Sequence, residues 1–236
     1  LDVRTVGIGG GSMVEIKNGK AVDMGPRSAH IAGLEYEVYT PAEKIVDLKL
    51  VAVRPMETDP EYACIECANG VKVALTMAGA ANLAGYVREE DYAFGNVEAA
   101  RKAWKPLADN MGCSVEEAAR KALAFAAAKN GKVARELMRD YGMDPQHTVF
   151  VGGGGGAATV VPHLAETMGH KFRIAQNAPV ISTIGVALAM VRDMVERSVA
   201  NPTDADIISV RREAEQKAIQ NGAAPGTVEV SVEVDT

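Results

Sequence analysis

The apolar residues of this chain fall into short runs separated by stretches with a helical period, which predicts alternating strands and helices. Residues 3–8 read as a strand, followed by Gly9-Gly10-Gly11-Ser12. Residues 13–16 and 21–24 then flank Asn18-Gly19, a dipeptide suited to the positive φ angles of a two-residue hairpin turn. A second β-rich stretch covers 45–77, with 62–68 and 71–77 flanking Asn69-Gly70 as another hairpin. The helical period takes over at 97–111 and again from 114 to 141, where Ser114 and Glu117 form a capping-box signature and Gly112 and Gly142 mark the breaks. Residues 148–151 lead as a short β-branched strand into Gly152, Gly153, Gly154, Gly155 and Gly156, and an amphipathic helix runs on to Met168. A strand at 172–174, a helix at 183–197, a linker at Asn201-Pro202 and a helix at 205–220 follow. The closing residues, 228–236, alternate strictly, with Val228, Val230, Val232 and Val234 on one face that needs a sheet to cover it. With Leu1 opening directly into a strand, the expectation is a fragment of a longer polypeptide.

Composition narrows the function classes. Of the 236 residues 47% are hydrophobic, ample for a buried core. A net charge of -6 is scattered along the chain, with no basic stripe to meet a phosphate backbone or an acidic lipid surface, so no nucleic-acid or membrane partner is expected. No apolar run approaches the ~20 residues that span a bilayer, and three cysteines suit a reducing compartment, so a cytoplasmic protein is expected. Cys64 and Cys67 have C-x-x-C spacing, but on a strand residues three apart point to opposite faces, so both read as structural thiols.

The two glycine clusters carry the candidate chemistry. Glycines let backbone N–H groups converge on an anion without interference from Cβ, and a helix start adds the positive end of its dipole. Each loop also admits a plain reading as a close-packed turn. Neither carries the Lys-Ser/Thr that a P-loop needs. The second matches the loose G-x-G-x-x-A dinucleotide pattern, but the next strand leads into Ala175-Gln176-Asn177 without the acid that would take a ribose hydroxyl, and the first opens a hairpin, which a Rossmann unit forbids. A glycine turn in a hairpin, paired with a later strand, glycine run and helix, is instead the arrangement of the actin/hexokinase/heat-shock-chaperone superfamily.

Within it, Asp2-Val-Arg-Thr-Val-Gly-Ile-Gly-Gly-Gly-Ser-Met13 and Gly25-Pro-Arg-Ser-Ala29 resemble the signature of the hydantoinase/5-oxoprolinase family, D-x-R-T-I-G-x-G-G-G-S-I followed by G-P-x-S-A. Ala81-Asn82-Leu83, Gly142-Met-Asp-Pro145, Val151 with the five glycines, and Asn177 through Gly185 extend the likeness. Residues 35–75 depart from it, and Ala80 stands where the family has an acid. The resemblance implies an α/β fold: a ribonuclease-H-like (actin-like ATPase) nucleotide-binding lobe over residues 1–200, with a β-rich insertion at about 35–77 and, over 201–236, a linker helix and the first strand of a following domain. It implies ATP with Mg²⁺ or Mn²⁺, bound by Gly9, Gly10, Gly11, Ser12, Gly152, Gly153, Gly154, Gly155 and Gly156, with no metal site of side chains alone. The implied activity is ATP-dependent opening of a cyclic amide of the hydantoin or 5-oxoproline type. The alternatives are a subunit of an acetone-carboxylase-type ATP-dependent enzyme and a non-catalytic, chaperone-like nucleotide-binding module. The implied partners are a small-molecule substrate, an N-terminal lobe of the same chain and a partner subunit. The catalytic residue is left open, with Asp2, His30 and His163 as candidates; His163 also reads as a packing residue, and Asp2 as a terminal surface charge.

Overall fold

The computed structural model describes residues 2–234, a mixed α/β chain that divides into two compact units, Leu1–Ser182 and Thr183–Thr236. The second unit takes in residues 183–200, which the sequence reading assigns to the nucleotide-binding lobe.

In the first unit, β1 (Ser12–Lys17) and β2 (Lys20–Ser28) form the expected hairpin, with Asn18 and Gly19 at φ 52° and 71°. Both central residues in the left-handed region give the turn a twist that matches its strands. β3 (Glu35–Tyr36), β4 (Lys49–Val53), β5 (Tyr62–Glu66) and β6 (Lys72–Ala74) complete a six-stranded sheet in the order β2-β1-β5-β6-β3, with β4 also on β5. The pairs are antiparallel except β3 with β6. The β-rich segment after residue 35 therefore extends the sheet begun by the first hairpin.

Three helices pack against this sheet and one another: α1 (Met77–Leu83), α2 (Val97–Met111) and α3 (Val115–Asp140). Asn96 caps α2 by accepting from the Ala99 N–H at 3.0 Å, and Gly112 ends it at φ 65°. The capping box of α3 forms as read, with Glu117 N–H donating to Ser114 Oγ at 3.2 Å and Ser114 N–H to Glu117 Oε2 at 2.8 Å. α3 buries Ala118, Ala119, Ala122 and Ala126, whose small side chains let neighbouring helices approach closely, and Trp104, Leu107, Met24 and Leu75 fill the space between. Burying Trp104 contributes on the order of 4 kcal/mol at ~25 cal/mol per Å².

β7 (Val149–Gly152) and β8 (Lys171–Ile174) pair in parallel, and α4 (Ala157–Met168) connects them. α4 packs on α1 and α3, which brings the second glycine run to the first hairpin. The helix α5 (Ile181–Leu188) follows. The second unit is built around α6 (Asp204–Gln220), capped by a Thr203–Asp206 box and tied to the preceding segment by the pairs Arg197–Glu213 and Lys217–Asp193. Ala218 is its one buried position among the described residues.

The structure differs from the sequence reading at four places. Residues 3–8 form no strand; Val3 is exposed, and Arg4 turns instead to Asp140 at 2.6 Å and Glu136 at 3.7 Å on α3. The stretch expected to stay β through 77 gives way to α1, which the reading missed. The helix expected over 183–197 stops at Leu188. Residues 228–234 form no strand despite their alternation, because no described strand pairs with them; 235 and 236 lie outside the described residues. Among the described residues no helix is long and apolar enough to cross a membrane.

Candidate functional site

The first glycine loop is a tight turn at the head of β1. Ser12 N–H donates to the Gly9 carbonyl at 3.0 Å, and Gly9 N–H donates to Ser12 Oγ at 2.9 Å. The Gly10 carbonyl accepts from Ala78 N–H of α1 at 2.8 Å, and that of Gly11 from Ala29 N–H at 2.9 Å. The carbonyls are thus turned into the protein. The amides of Gly10 and Gly11 donate to no other described residue.

The second loop is held at Gly154, whose N–H donates to the Ala178 carbonyl at 2.7 Å, and at Gly156, whose carbonyl accepts from Thr159 N–H at 3.0 Å and Thr159 Oγ1 at 2.7 Å. The Gly155 and Gly156 amides likewise donate to no other described residue. The two loops touch. A Cβ on Gly10 would stand 3.3 Å from Thr159 Oγ1 and 3.7 Å from Gly156 Cα, and a Cβ on Gly156 would stand 3.3 Å from the Gly10 nitrogen. None of the first-loop glycines has positive φ, so Gly10 and Gly11 are glycine for close approach rather than for backbone freedom.

A cavity of about 440 Å³ opens where the loops meet, lined by Gly10, Gly11, Gly155, Gly156, Thr159 and Ala78 together with four aromatic residues, Tyr36, Tyr39, Tyr92 and Phe94. Tyr36 lies over Gly11, where a Cβ would overlap its hydroxyl, and the Tyr92 ring lies 3.2 Å from where a Cβ on Gly155 would be. A second cavity of about 470 Å³ lies beyond Tyr92 and Gly155, which line both; it adds Gly154, Ala157, Ala158, Asn177 and the charged Arg88, Glu90 and Asp91.

Glu37 supports the first cavity from behind. It is fully buried, and its Oε1 accepts from Thr76 N–H and Trp104 Nε1–H, both at 2.8 Å, while Oε2 accepts from Thr76 Oγ1–H at 2.8 Å. Those bonds favour the ionised form, but burial outweighs them and pushes the carboxyl up to about 7. Thr76 in turn caps α1, accepting from Gly79 N–H, and α1 supplies the Ala78 amide that holds Gly10. Asn82, buried on the same helix, donates to the Ala93 carbonyl at 3.0 Å and accepts from Gly95 N–H at 3.1 Å, fixing the loop that carries Tyr92 and Phe94.

Of the residues singled out in the sequence, Gly10, Gly11, Gly155 and Gly156 meet at the first cavity and Gly154 and Gly155 at the second; Gly9, Ser12, Gly152 and Gly153 line neither. Asp2, His30 and His163 are brought neither together nor to a cavity wall. Asp2 pairs with Arg4 at 3.1 Å, and His30 is exposed on the turn after β2. His163 packs its ring 5.1 Å from that of Tyr86, whose hydroxyl lies 3.2 Å from Nδ1, and burial lowers its pKa. Cys64 and Cys67 are buried, burial pushing the Cys64 thiol up to about 11, and the described residues hold no group of three or more His, Cys, Asp or Glu able to bind a metal.

A sequence profile described as hydantoinase/oxoprolinase matches residues 1–195. The chain belongs to the hydantoinase/oxoprolinase family. A solved structure of acetone carboxylase, nucleotide-free, from work on the mechanism of ATP-dependent acetone carboxylation, has a similar fold, with a TM-score of 0.61 and 17% identity. The match covers 93% of this chain and 30% of that one, so the present chain spans under a third of that neighbour. No curated protein sequence matches significantly. In this hydantoinase/oxoprolinase chain Ala80 is fully buried on α1, within the hydrophobic core.

The reading from sequence missed Tyr36, Glu37, Tyr39, Tyr92, Phe94 and Thr159. A signal was present for the aromatics. The chain has six Tyr and four Phe, and four of these ten stand in the pairs Tyr36-x-x-Tyr39 and Tyr92-x-Phe94.

Proposed function

We propose that this chain is the nucleotide-binding part of a cytoplasmic ATP-dependent enzyme that opens a cyclic amide such as a hydantoin or 5-oxoproline, on a lobe of the ribonuclease-H-like, actin type. The observation that carries this reading is the meeting of the two glycine loops at one cavity with the amides of Gly10, Gly11, Gly155 and Gly156 unpaired among the described residues. Backbone donors fixed in place stabilise phosphate oxygens without reorganising. ATP would be held by these amides and would supply the phosphoryl group that turns an amide oxygen into an activated one. Ser12 and Thr159 shape the cradle through the Gly9 amide and the Gly156 carbonyl. On this reading the substrate and the remaining catalytic groups come from an N-terminal lobe of the same polypeptide and from a partner subunit. A second reading, activation of a ketone, is favoured by the likeness to acetone carboxylase.

Isothermal titration with ATP and with inorganic tripolyphosphate tests the cradle. Both are expected to bind the chain, and Gly10→Val, which pushes a branched side chain against Thr159 and Gly156, is expected to weaken both at least tenfold while the protein stays folded. Unchanged affinity in a folded Gly10→Val protein would remove the first loop from the site. Phosphate release with hydantoin, 5-oxoproline, or acetone plus bicarbonate, measured on a chain restored to family length, separates the two chemistries.

A further inference from the structure

The four aromatic residues of the first cavity come from two short segments, Tyr36 at the end of β3 with Tyr39 just after it, and Tyr92 and Phe94 before α2. They are held as one wall by groups that do not line the cavity. Glu37, between the two tyrosines, is fixed by Thr76 and Trp104. The Tyr39 hydroxyl donates to the Ala93 carbonyl at 3.0 Å, the same carbonyl that Asn82 holds, and the Tyr36 and Tyr39 rings lie 5.7 Å apart. Rings held from behind lose little freedom when something settles on them.

The wall nevertheless faces solvent: Tyr92 is 75%, Tyr39 49% and Phe94 38% exposed. Leaving these rings uncovered forgoes burial that would stabilise the fold, which is the usual mark of a surface that meets a ligand. No charged side chain lines this cavity, in contrast to its neighbour with Arg88, Glu90 and Asp91. Recognition at the wall therefore runs through ring faces and apolar contact, with neutral polar groups, the glycine amides and the Tyr36 and Thr159 hydroxyls, beside it. Such a surface suits a flat π-system and gives a charged group nothing to pair with except at the loops.

We infer that Tyr36, Tyr39, Tyr92 and Phe94 form a stacking subsite for a neutral, planar, conjugated ring beside the glycine loops. Two sources share that chemistry, the base of a nucleotide and an aryl or heteroaryl group on the molecule acted upon. The inference rests on the proposed nucleotide cradle only for the anion it places next to the ring.

The test is titration of the 236-residue chain with adenosine, 5-phenylhydantoin and inorganic tripolyphosphate, in wild type, Tyr92→Ala, Phe94→Ala and Tyr92→Phe. At least one ring ligand is expected to bind and to lose roughly 5- to 100-fold in affinity with each alanine, with Tyr92→Phe restoring it and tripolyphosphate unaffected. A response of adenosine alone assigns the ring to the nucleotide; a response of phenylhydantoin alone assigns it to the molecule acted upon. Ring ligands that do not bind, or that bind both alanine variants as tightly as wild type, overturn the inference whatever tripolyphosphate does. Wall-dependent ring binding without tripolyphosphate binding keeps the subsite and overturns the cradle. Thermal melts of the variants, all at exposed positions, check that the fold is intact.

Discussion

The first glycine loop, 9–12, is held by the packed core, and the second, 152–156, by the start of its own helix and the turn after β8. The Gly10 carbonyl is tied to α1, whose cap Thr76 depends on the buried Glu37, which also holds Trp104. The chain from loop to core is continuous, through groups that are all buried. Gly156 instead bonds to Thr159 at the start of α4 and Gly154 to Ala178 just after β8, so this loop is tied within its own β7–α4–β8 unit, and Gly154 sits at φ 97°. One loop is fixed by a long-range polar network, and the other by local geometry. Damage far along the chain should therefore reach the first loop and spare the second.

The largest expected effect follows from breaking that network. Glu37→Leu leaves the Thr76 and Trp104 donors buried without an acceptor and should destabilise the protein by roughly 2–4 kcal/mol. Glu37→Gln keeps an acceptor for both N–H groups and should cost less. Denaturant unfolding measures both, and a Leu variant as stable as wild type would show that the network does not hold the first loop.

Titration of Glu37 gives a smaller effect of known sign. Its folded pKa is raised by burial from 4.5 to about 7, so the folded state binds the proton more tightly than the unfolded state does. The stability it contributes is fully present below about pH 4.5 and is lost as pH rises through about 7. Wild type should therefore lose stability relative to Glu37→Gln between pH 4.5 and 7, by on the order of 1–3 kcal/mol. Parallel melting curves for the two proteins across that range would mean that Glu37 is not protonated in the fold.

The same contrast explains what the sequence revealed. Asn18-Gly19, Asn69-Gly70, the Ser114 box and the Gly112 stop are local signals, and each stands where it was read. The helix α1 gave no such signal: Met77, Ala78, Gly79, Ala80, Ala81, Asn82 and Leu83 are all buried, so it has no polar face and no amphipathic period. The strand readings misled in the opposite direction at 3–8 and, by their alternation, at 228–234, because a pattern shows which residues can share a face but supplies no partner to cover it. The glycine loops were legible as loops. The aromatic wall was not, since Tyr36 and Tyr92 meet only after the sheet and α1 have folded.

The smallest effects test the contrast most cleanly, because they compare the same substitution at two open glycines. A Cβ added at Gly9 or at Gly154 meets nothing within 4 Å, so crowding distinguishes neither. Backbone conformation does: Gly154 is at φ 97°, where an L-residue is strained, while Gly9 is not in the positive-φ region. Gly154→Ala should therefore cost about 1–2 kcal/mol, and Gly9→Ala should stay within about 0.5 kcal/mol of wild type. Strain at Gly154 is relieved most cheaply by turning the peptide that bonds Ala178, so the loss should appear as faster amide exchange at Gly154 while the exchange of Ala78, bonded to Gly10, stays unchanged. Equal costs at the two glycines, or faster exchange at Ala78 in Gly154→Ala, would show that the loops are held as one piece and that the contrast between a core-held and a helix-held loop is wrong.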